Sequence, residues 1–133
     1  MAKTFTHSIR VYIEDTDAAG IMYHPNHMKF FERSRTEMLR DCGFTKTTME
    51  RDYKLLFVIK DMSINYKAPA FMDDLLEIKT TLESNTATRL IFFQEIYRSQ
   101  TLIASAKMTI VCVNKDYKPT PLPELLLTQL TTS

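Results

Sequence analysis

The chain opens on a two-residue period. Phe5, His7, Ile9, Val11 and Ile13 fall on one face, and Thr6, Ser8, Arg10, Tyr12 and Glu14 on the other. That alternation predicts a half-buried strand over residues 5–13, ending at Glu14. The period then lengthens. Met28, Phe31, Arg35, Met38, Leu39 and Cys42 recur at spacings of three and four, while Lys29, Glu32, Arg33, Glu37 and Arg40 fill the opposite side. This predicts a helix over 26–42 with Asn26 as N-cap, directly after Pro25. Arg35 interrupts the apolar stripe, and the expectation for it is an ion pair with a carboxylate at the stripe's edge. Residues 44–54 read as a loop with one helical turn. From Leu55 the strand period returns: Leu56, Val58, Lys60, Met62, Ile64 and Tyr66 alternate with Leu55, Phe57, Ile59, Asp61, Ser63, Asn65 and Lys67, until Ala68-Pro69-Ala70 ends the run. Further strands are predicted over 76–83, 88–98 and 102–113, the last two as a hairpin across Ser99-Gln100-Thr101. Pro119, Pro121 and Pro123 stiffen the exit, and 122–130 reads as a short terminal helix.

Strand, long helix, then four long strands argue for an α+β fold with the helix laid on one face of an antiparallel sheet. The length of 133 residues suits one domain, 1–133, with one core. Such a sheet leaves long edges open, and pairing them across a symmetry axis predicts a homo-oligomer. The only two glycines sit at sharp positions. Gly43 follows the helix, where a left-handed residue is wanted, and Gly20 lies where the chain reverses between strand and helix.

Composition narrows the function. Net charge is +1, so nothing electrostatic favours nucleic acid or bulk membrane. No apolar run approaches the ~18 residues of a membrane span, and the N-terminus lacks the apolar core of a secretory signal. Cys42 and Cys112 form no CxxC pair and read as buried small hydrophobes in a reducing compartment, which makes the cytoplasm the expected location.

The chemistry concentrates in residues 14–27. A carboxylate loop (Asp15-Thr16-Asp17), Gly20, the segment Tyr23-His24-Pro25-Asn26-His27 and a helix N-terminus lie within about a dozen residues. A calcium loop would place Asp15, Asp17 and Gly20 at its positions one, three and six, but Ala19 and Asn26 then stand where ligands are required. His24 and His27 are three apart, outside an HExxH helix, so a transition-metal site would need Asp15 or Asp17 as well. Hydrolysis of an ester or thioester needs a carboxylate, as nucleophile or base, and an oxyanion donor; a helix N-terminus offers free N–H groups for the second role. No GxSxG elbow supplies a serine, and Cys42 lies at the far end of the helix from His24. Against a catalytic Asp17 stands a purely local role in an Asx-turn. Against His24 and His27 stands an ordinary surface or half-buried histidine.

The run from Arg10-Val11-Tyr12 through DTDAAGIMYH resembles the active-site signature of hotdog-fold acyl-CoA thioesterases of the 4-hydroxybenzoyl-CoA type. FFERSRTEMLR and YKAPAFMDDLLEI resemble the Tol–Pal-associated branch. The match spans roughly residues 8–120. It implies a long central helix wrapped by an antiparallel sheet, dimers with a continuous sheet commonly paired into tetramers, and acyl-CoA hydrolysis without metal or organic cofactor. It assigns nucleophile or general base to Asp17, carbonyl polarisation to backbone N–H groups at Tyr23 and His24, an active-site imidazole to His24, and a tight loop to Gly20. Some relatives carry a tyrosine where this chain has Ile13. Coenzyme A carries phosphates, so Lys60, Lys67, Arg89, Arg98 and Lys115 are candidates for its site, with Lys67 and Arg89 favoured for the nucleotide. Ile21, Met22, Phe57 and Met62 are candidates for an acyl pocket. Two other readings stay open: an acyl dehydratase on the same fold, and an acyl-carrier-protein-binding or scaffold protein, peripheral at the inner membrane, with weak hydrolysis.

Overall fold

A computed structural model describes residues 3–131. Strand β1 (Thr4–Arg10) leads to helix α1 (His24–Asp41), then to a short helix α2 (Lys46–Thr48) that continues into a single π turn (Met49–Tyr53). Four long strands follow: β2 (Leu56–Tyr66), β3 (Leu75–Asn85), β4 (Arg89–Arg98) and β5 (Thr101–Val113). Helix α3 (Glu124–Thr131) ends the described chain. All strand pairs are antiparallel, in the order β1-β3-β4-β5-β2. The α+β arrangement is the expected one, with α1 on one sheet face. Its Phe30, Phe31 and Met38 share a single core with Leu76, Ile78, Leu90, Phe92, Ile96 and Met108 from the sheet.

Three boundaries and two side-chain expectations are corrected. β1 stops at Arg10 although the alternation continues to Ile13. Asp15 wins there: its carboxylate accepts the Tyr12 N–H at 2.8 Å and winds Ile13–Asp15 into a 3-10 turn. α1 begins at His24, so Asn26 is not its N-cap. Proline in a first helical turn lacks an N–H that would have had no partner anyway, so Pro25 starts the helix instead of delaying it. The region 44–54 holds α2 and the π turn, more helix than one turn. Of the predicted α1 stripe, Phe31, Arg35, Met38 and Cys42 are buried, but Met28 is 39% exposed and the buried face extends through Asn26, His27, Phe30 and Ser34 instead. Arg35 forms no ion pair with a carboxylate among the described residues; its Nη1 donates to Gln94 Oε1 at 2.8 Å and points at Met108 Sδ.

The alternation of β2 also reverses midway. Ile59 pairs with Ile110, but Asp61 pairs with Thr109, so Lys60 is an extra residue in a bulge. A bulge flips the phase of every later side chain. Phe57 and Ile59 before it, and Met62, Ile64 and Tyr66 after it, therefore share the face that β5 presents through Cys112, Ile110, Met108, Ala106 and Ala104. β2 is an edge strand, and none of its eleven residues is fully buried.

α1 ends where Gly43 takes φ +89°. Phe44 N–H reaches Leu39 O and Gly43 N–H reaches Arg40 O, both at 2.9 Å, the double closure of a Schellman motif. A Cβ at Gly43 would meet nothing within 4 Å, so the constraint is conformational. Gly43→Ala is expected to destabilise the fold by about 1 kcal/mol, checked by chemical denaturation with an unchanged m-value.

Candidate active site

The loop between β1 and α1 is closed on itself. Thr16 bridges Met22, and Asp17 N–H donates to Ile21 O at 2.9 Å. One carboxylate oxygen of Asp17, Oδ1, accepts the N–H groups of Ala19 (2.9 Å) and Ile21 (3.2 Å). Asp17 is thus both exposed and held in an Asx-turn, with Oδ2 unclaimed among the described residues. Gly20 supplies the reversal at φ +78°, where a side chain would be strained. The neighbouring carboxylate has another task. Asp15 is buried; beyond its bond to Tyr12, its carbonyl accepts Tyr23 N–H and Asn26 Nδ2, each at 2.8 Å. Asp15 therefore ties the loop to the first turn of α1.

A second segment buttresses the loop from outside. Met22 N–H donates to Ala70 O at 2.7 Å, and Ile21 bridges Phe71. Phe71 N–H and Arg98 Nη1 both bond Asp74 Oδ2, at 2.8 and 2.9 Å, and Arg98 also holds Pro69 O. Arg98, a nucleotide candidate from sequence, is engaged in this strut.

At the start of α1 the Tyr23 N–H is spent on Asp15, so of the two expected carbonyl donors only His24 N–H lacks an acceptor among the described residues. No side chain caps this helix end and no acidic residue stands in its first turn, so the positive end of the dipole is open. The His24 ring is exposed and lies 4.7 Å, centroid to centroid, from Tyr66 at the end of β2. Tyr66 stands edge-on to His27 at 4.8 Å, and its hydroxyl is 3.4 Å from His24 O. Tyr66 is the site neighbour that sequence reasoning missed. It is 42 residues from His24, and its orientation depends on the bulge at Lys60.

His27 is buried, and its Nδ1 lies 3.0 Å from His24 O. Burial pulls its pKa below the usual 6.5, against a smaller raising contribution from the backbone bond. The unfolded chain therefore binds the proton more readily, so folding stability is full above about 6.5 and falls as pH drops through that value toward the folded pKa. The thermal midpoint is expected to decline across this window, and His27→Gln to flatten the decline. An equal slope in both proteins would remove His27 as the cause.

The buried thiols carry no nucleophile. Burial raises Cys42 and pushes Cys112 up to about 11, so both are protonated at neutral pH. Among the described residues no group of three His, Cys, Asp or Glu side chains is placed to hold a metal ion.

The expected nucleotide cations do not converge within one chain. Lys67 follows Tyr66 at the His24 end of β2, and Arg89 pairs with Val111, which pairs with Val58 at the other end. At that other end a cavity of about 400 Å³ opens between α1, α2 and the first residues of β2. Of the four expected acyl-pocket side chains, Phe57 lines it. Met22 is core beneath the loop, and Met62 is on the exposed edge strand.

Residues 11–130 match the family model described as the thioesterase-like superfamily. An acyl-CoA thioester hydrolase, YbgC, of Escherichia coli O6:H1 is 40% identical over 127 residues, covering 94% of each chain. The crystal structure of a probable thioesterase from Bartonella henselae superposes with a TM-score of 0.87 at 37% identity, over 91% of this chain and 100% of that one. A 1,4-dihydroxy-2-naphthoyl-CoA thioesterase from Synechocystis superposes with a TM-score of 0.89 at 26% identity, over 96% of each chain.

Proposed function

The chain belongs to the thioesterase-like superfamily, and from that membership we propose that its loop–helix junction hydrolyses acyl-CoA thioesters with Asp17 as the acting carboxylate. The observation that carries the reading is the pairing of two unclaimed groups at one junction: Oδ2 of a conformationally fixed carboxylate, and the His24 N–H at an uncapped helix start. In the proposed reaction the thioester carbonyl oxygen sits on the His24 N–H. There the helix dipole and a fixed donor stabilise the negative charge that develops on the oxygen. Asp17 Oδ2 takes a proton from a water that attacks the carbonyl carbon, the C–S bond breaks and the CoA thiolate and free acid leave; or Oδ2 attacks the carbon itself, the thiolate leaves, and water then hydrolyses the acyl–Asp17 anhydride to the free acid and the Asp17 carboxylate. His24, propped against Tyr66, orients the water or protonates the leaving thiolate. This chain has Ile13 where some relatives carry a tyrosine, and the Tyr66 ring stands 4.7 Å from the imidazole. Lys67, exposed beside Tyr66, is placed to meet phosphate at this end, and Arg89 serves the cavity end.

The assembly follows from β2. An edge strand of eleven residues with exposed Val58, Ile59, Met62 and Tyr66 invites a second copy. Antiparallel pairing about a two-fold axis near its midpoint, Asp61, is self-complementary. It would set the cavity end of one subunit beside the His24–Tyr66 end of the other. Sedimentation is expected to give a dimer or a multiple of it; a monomer at all concentrations would contradict this pairing.

The test of the activity is thiol release from short-chain, long-chain and aromatic acyl-CoAs, followed continuously with a thiol reagent. Turnover on at least one class is expected. Absence of release from every class would overturn hydrolysis and favour binding without catalysis.

A further inference from the structure

Arg35 is 7% exposed, in the middle of α1, and burial pulls its guanidinium down to about 10, so it is charged at neutral pH. A buried cation of this kind ordinarily faces a carboxylate. Among the described residues none forms an ion pair with it. Its Nη1 is used by Gln94 and Met108. Gln94 is itself fully committed, with Nε2 donating to Phe31 O at 3.0 Å and Thr80 Oγ1 at 2.9 Å. The remaining edge, Nε and Nη2, has no acceptor among the described residues. Ser34 Oγ is the one sealed, unpaired side-chain polar atom among them, so the open edge of Arg35 is not sealed off. Arg35 lines the cavity of about 400 Å³, whose other walls are mainly apolar (Leu39, Met49, Phe57, Leu90 and Phe92), with Glu32 and Lys46 also among them.

A mainly apolar chamber with a guanidinium fork in its wall specifies a ligand. The Nε–Nη2 edge of a guanidinium presents two parallel N–H groups at the spacing of carboxylate oxygens. We propose that this cavity receives the distal end of the acyl group and that Arg35 selects acyl chains ending in a carboxylate. The inference rests on the thioester reading above for the identity of the ligand, and deepens it by naming the substrate class. Glu32, exposed one turn earlier on the rim, attracts Arg35 electrostatically without bonding it. The chain between the two ends is apolar and loses water contact against the walls, which favours a methylene spacer over a polar one.

The test separates binding from turnover. Calorimetry on the wild-type chain compares alkyl-CoA thioethers, which have no cleavable carbonyl, with ω-carboxyalkyl-CoA thioethers of equal length, from short to long. The carboxylate-ended ligand is expected to bind roughly tenfold or more tightly at its best length, the span of a charge-assisted bidentate contact. Arg35→Met is expected to bring the ratio close to one, and Arg35→Lys, which keeps the charge without the fork, to an intermediate value. A purely structural arginine would lower both affinities alike and leave the ratio unmoved. Equal or weaker binding of the carboxylate-ended ligand by the wild type at every length overturns the proposal, whether or not Arg35→Met folds. So does a preference that survives in a folded Arg35→Met. Loss of all hydrolysis with the preference intact would count against the thioester reading and leave the cavity assignment standing.

Discussion

Asp17→Asn is expected to lower kcat for thiol release by about a hundredfold or more, the loss typical of removing a sole nucleophile or general base. The substitution suits the question because of how the loop is built. Asp17 Oδ1 only accepts, from Ala19 and Ile21 N–H, and an asparagine amide oxygen accepts the same two bonds. The Asx-turn, the Gly20 reversal and the bridge to Phe71 are therefore retained, and the thermal midpoint should stay close to wild type. What disappears is the negative charge on the unclaimed Oδ2. KM should move little if binding is carried elsewhere. Asp17→Ala, by contrast, removes the turn as well, and is expected to lose stability along with rate. Full activity in Asp17→Asn would reduce Asp17 to a loop-forming residue.

The largest expected effect on stability is at Gln94. This side chain is fully buried at the middle of the sheet and joins three elements: α1 through Phe31 O and Arg35, β3 through Thr80, and β4 itself. Gln94→Leu strands the Thr80 hydroxyl away from water, removes the second hydrogen bond to the Phe31 carbonyl and leaves the charged Arg35 Nη1 with Met108 Sδ as its one remaining partner among the described residues. Buried groups left unpaired cost about 1–3 kcal/mol each, and more for a charged one. Partial relaxation toward the cavity reduces the sum, so a loss of about 3 kcal/mol is expected, a sizeable share of a typical domain's stability. Denaturant unfolding measures it. A loss below about 0.5 kcal/mol, the range of an ordinary surface substitution, would mean that the network contributes nothing net.

What was legible in the sequence is what local chemistry dictates. The helix, the four later strands and the reversal at Gly20 follow from periods and from two scarce glycines. The candidate loop was visible because carboxylate, glycine, imidazole and helix start are neighbours in the chain. The misses share a physical cause. The strand period runs on past Arg10, but one carboxylate, Asp15, makes a better local bond than another ladder pair would. Pro25 disfavours helix at the residue before it but is tolerated inside a first turn, and here the tolerance prevails. The phase of β2 was lost at Lys60, since a bulge inserts one residue without any compositional mark. That hidden reversal is why Tyr66 was not placed beside His24. Arg35 was expected to find a carboxylate because burial of a cation demands one; its actual partners, Gln94 and Met108, come from strands 59 and 73 residues away. Lys67 and Arg89 were grouped by charge, and only the sheet register shows that they stand at opposite ends of it.

The proposed hydrolysis requires one thioester held between residue 17 and the start of α1. Its most direct test is a crystal structure of Asp17→Asn, slow enough to keep its substrate, with an intact acyl-CoA. The carbonyl oxygen is expected about 3 Å from the His24 N–H, with the residue 17 side chain facing the carbonyl carbon directly or through one water. A thioester lodged elsewhere, with the His24 N–H unoccupied and residue 17 turned to solvent, would contradict it.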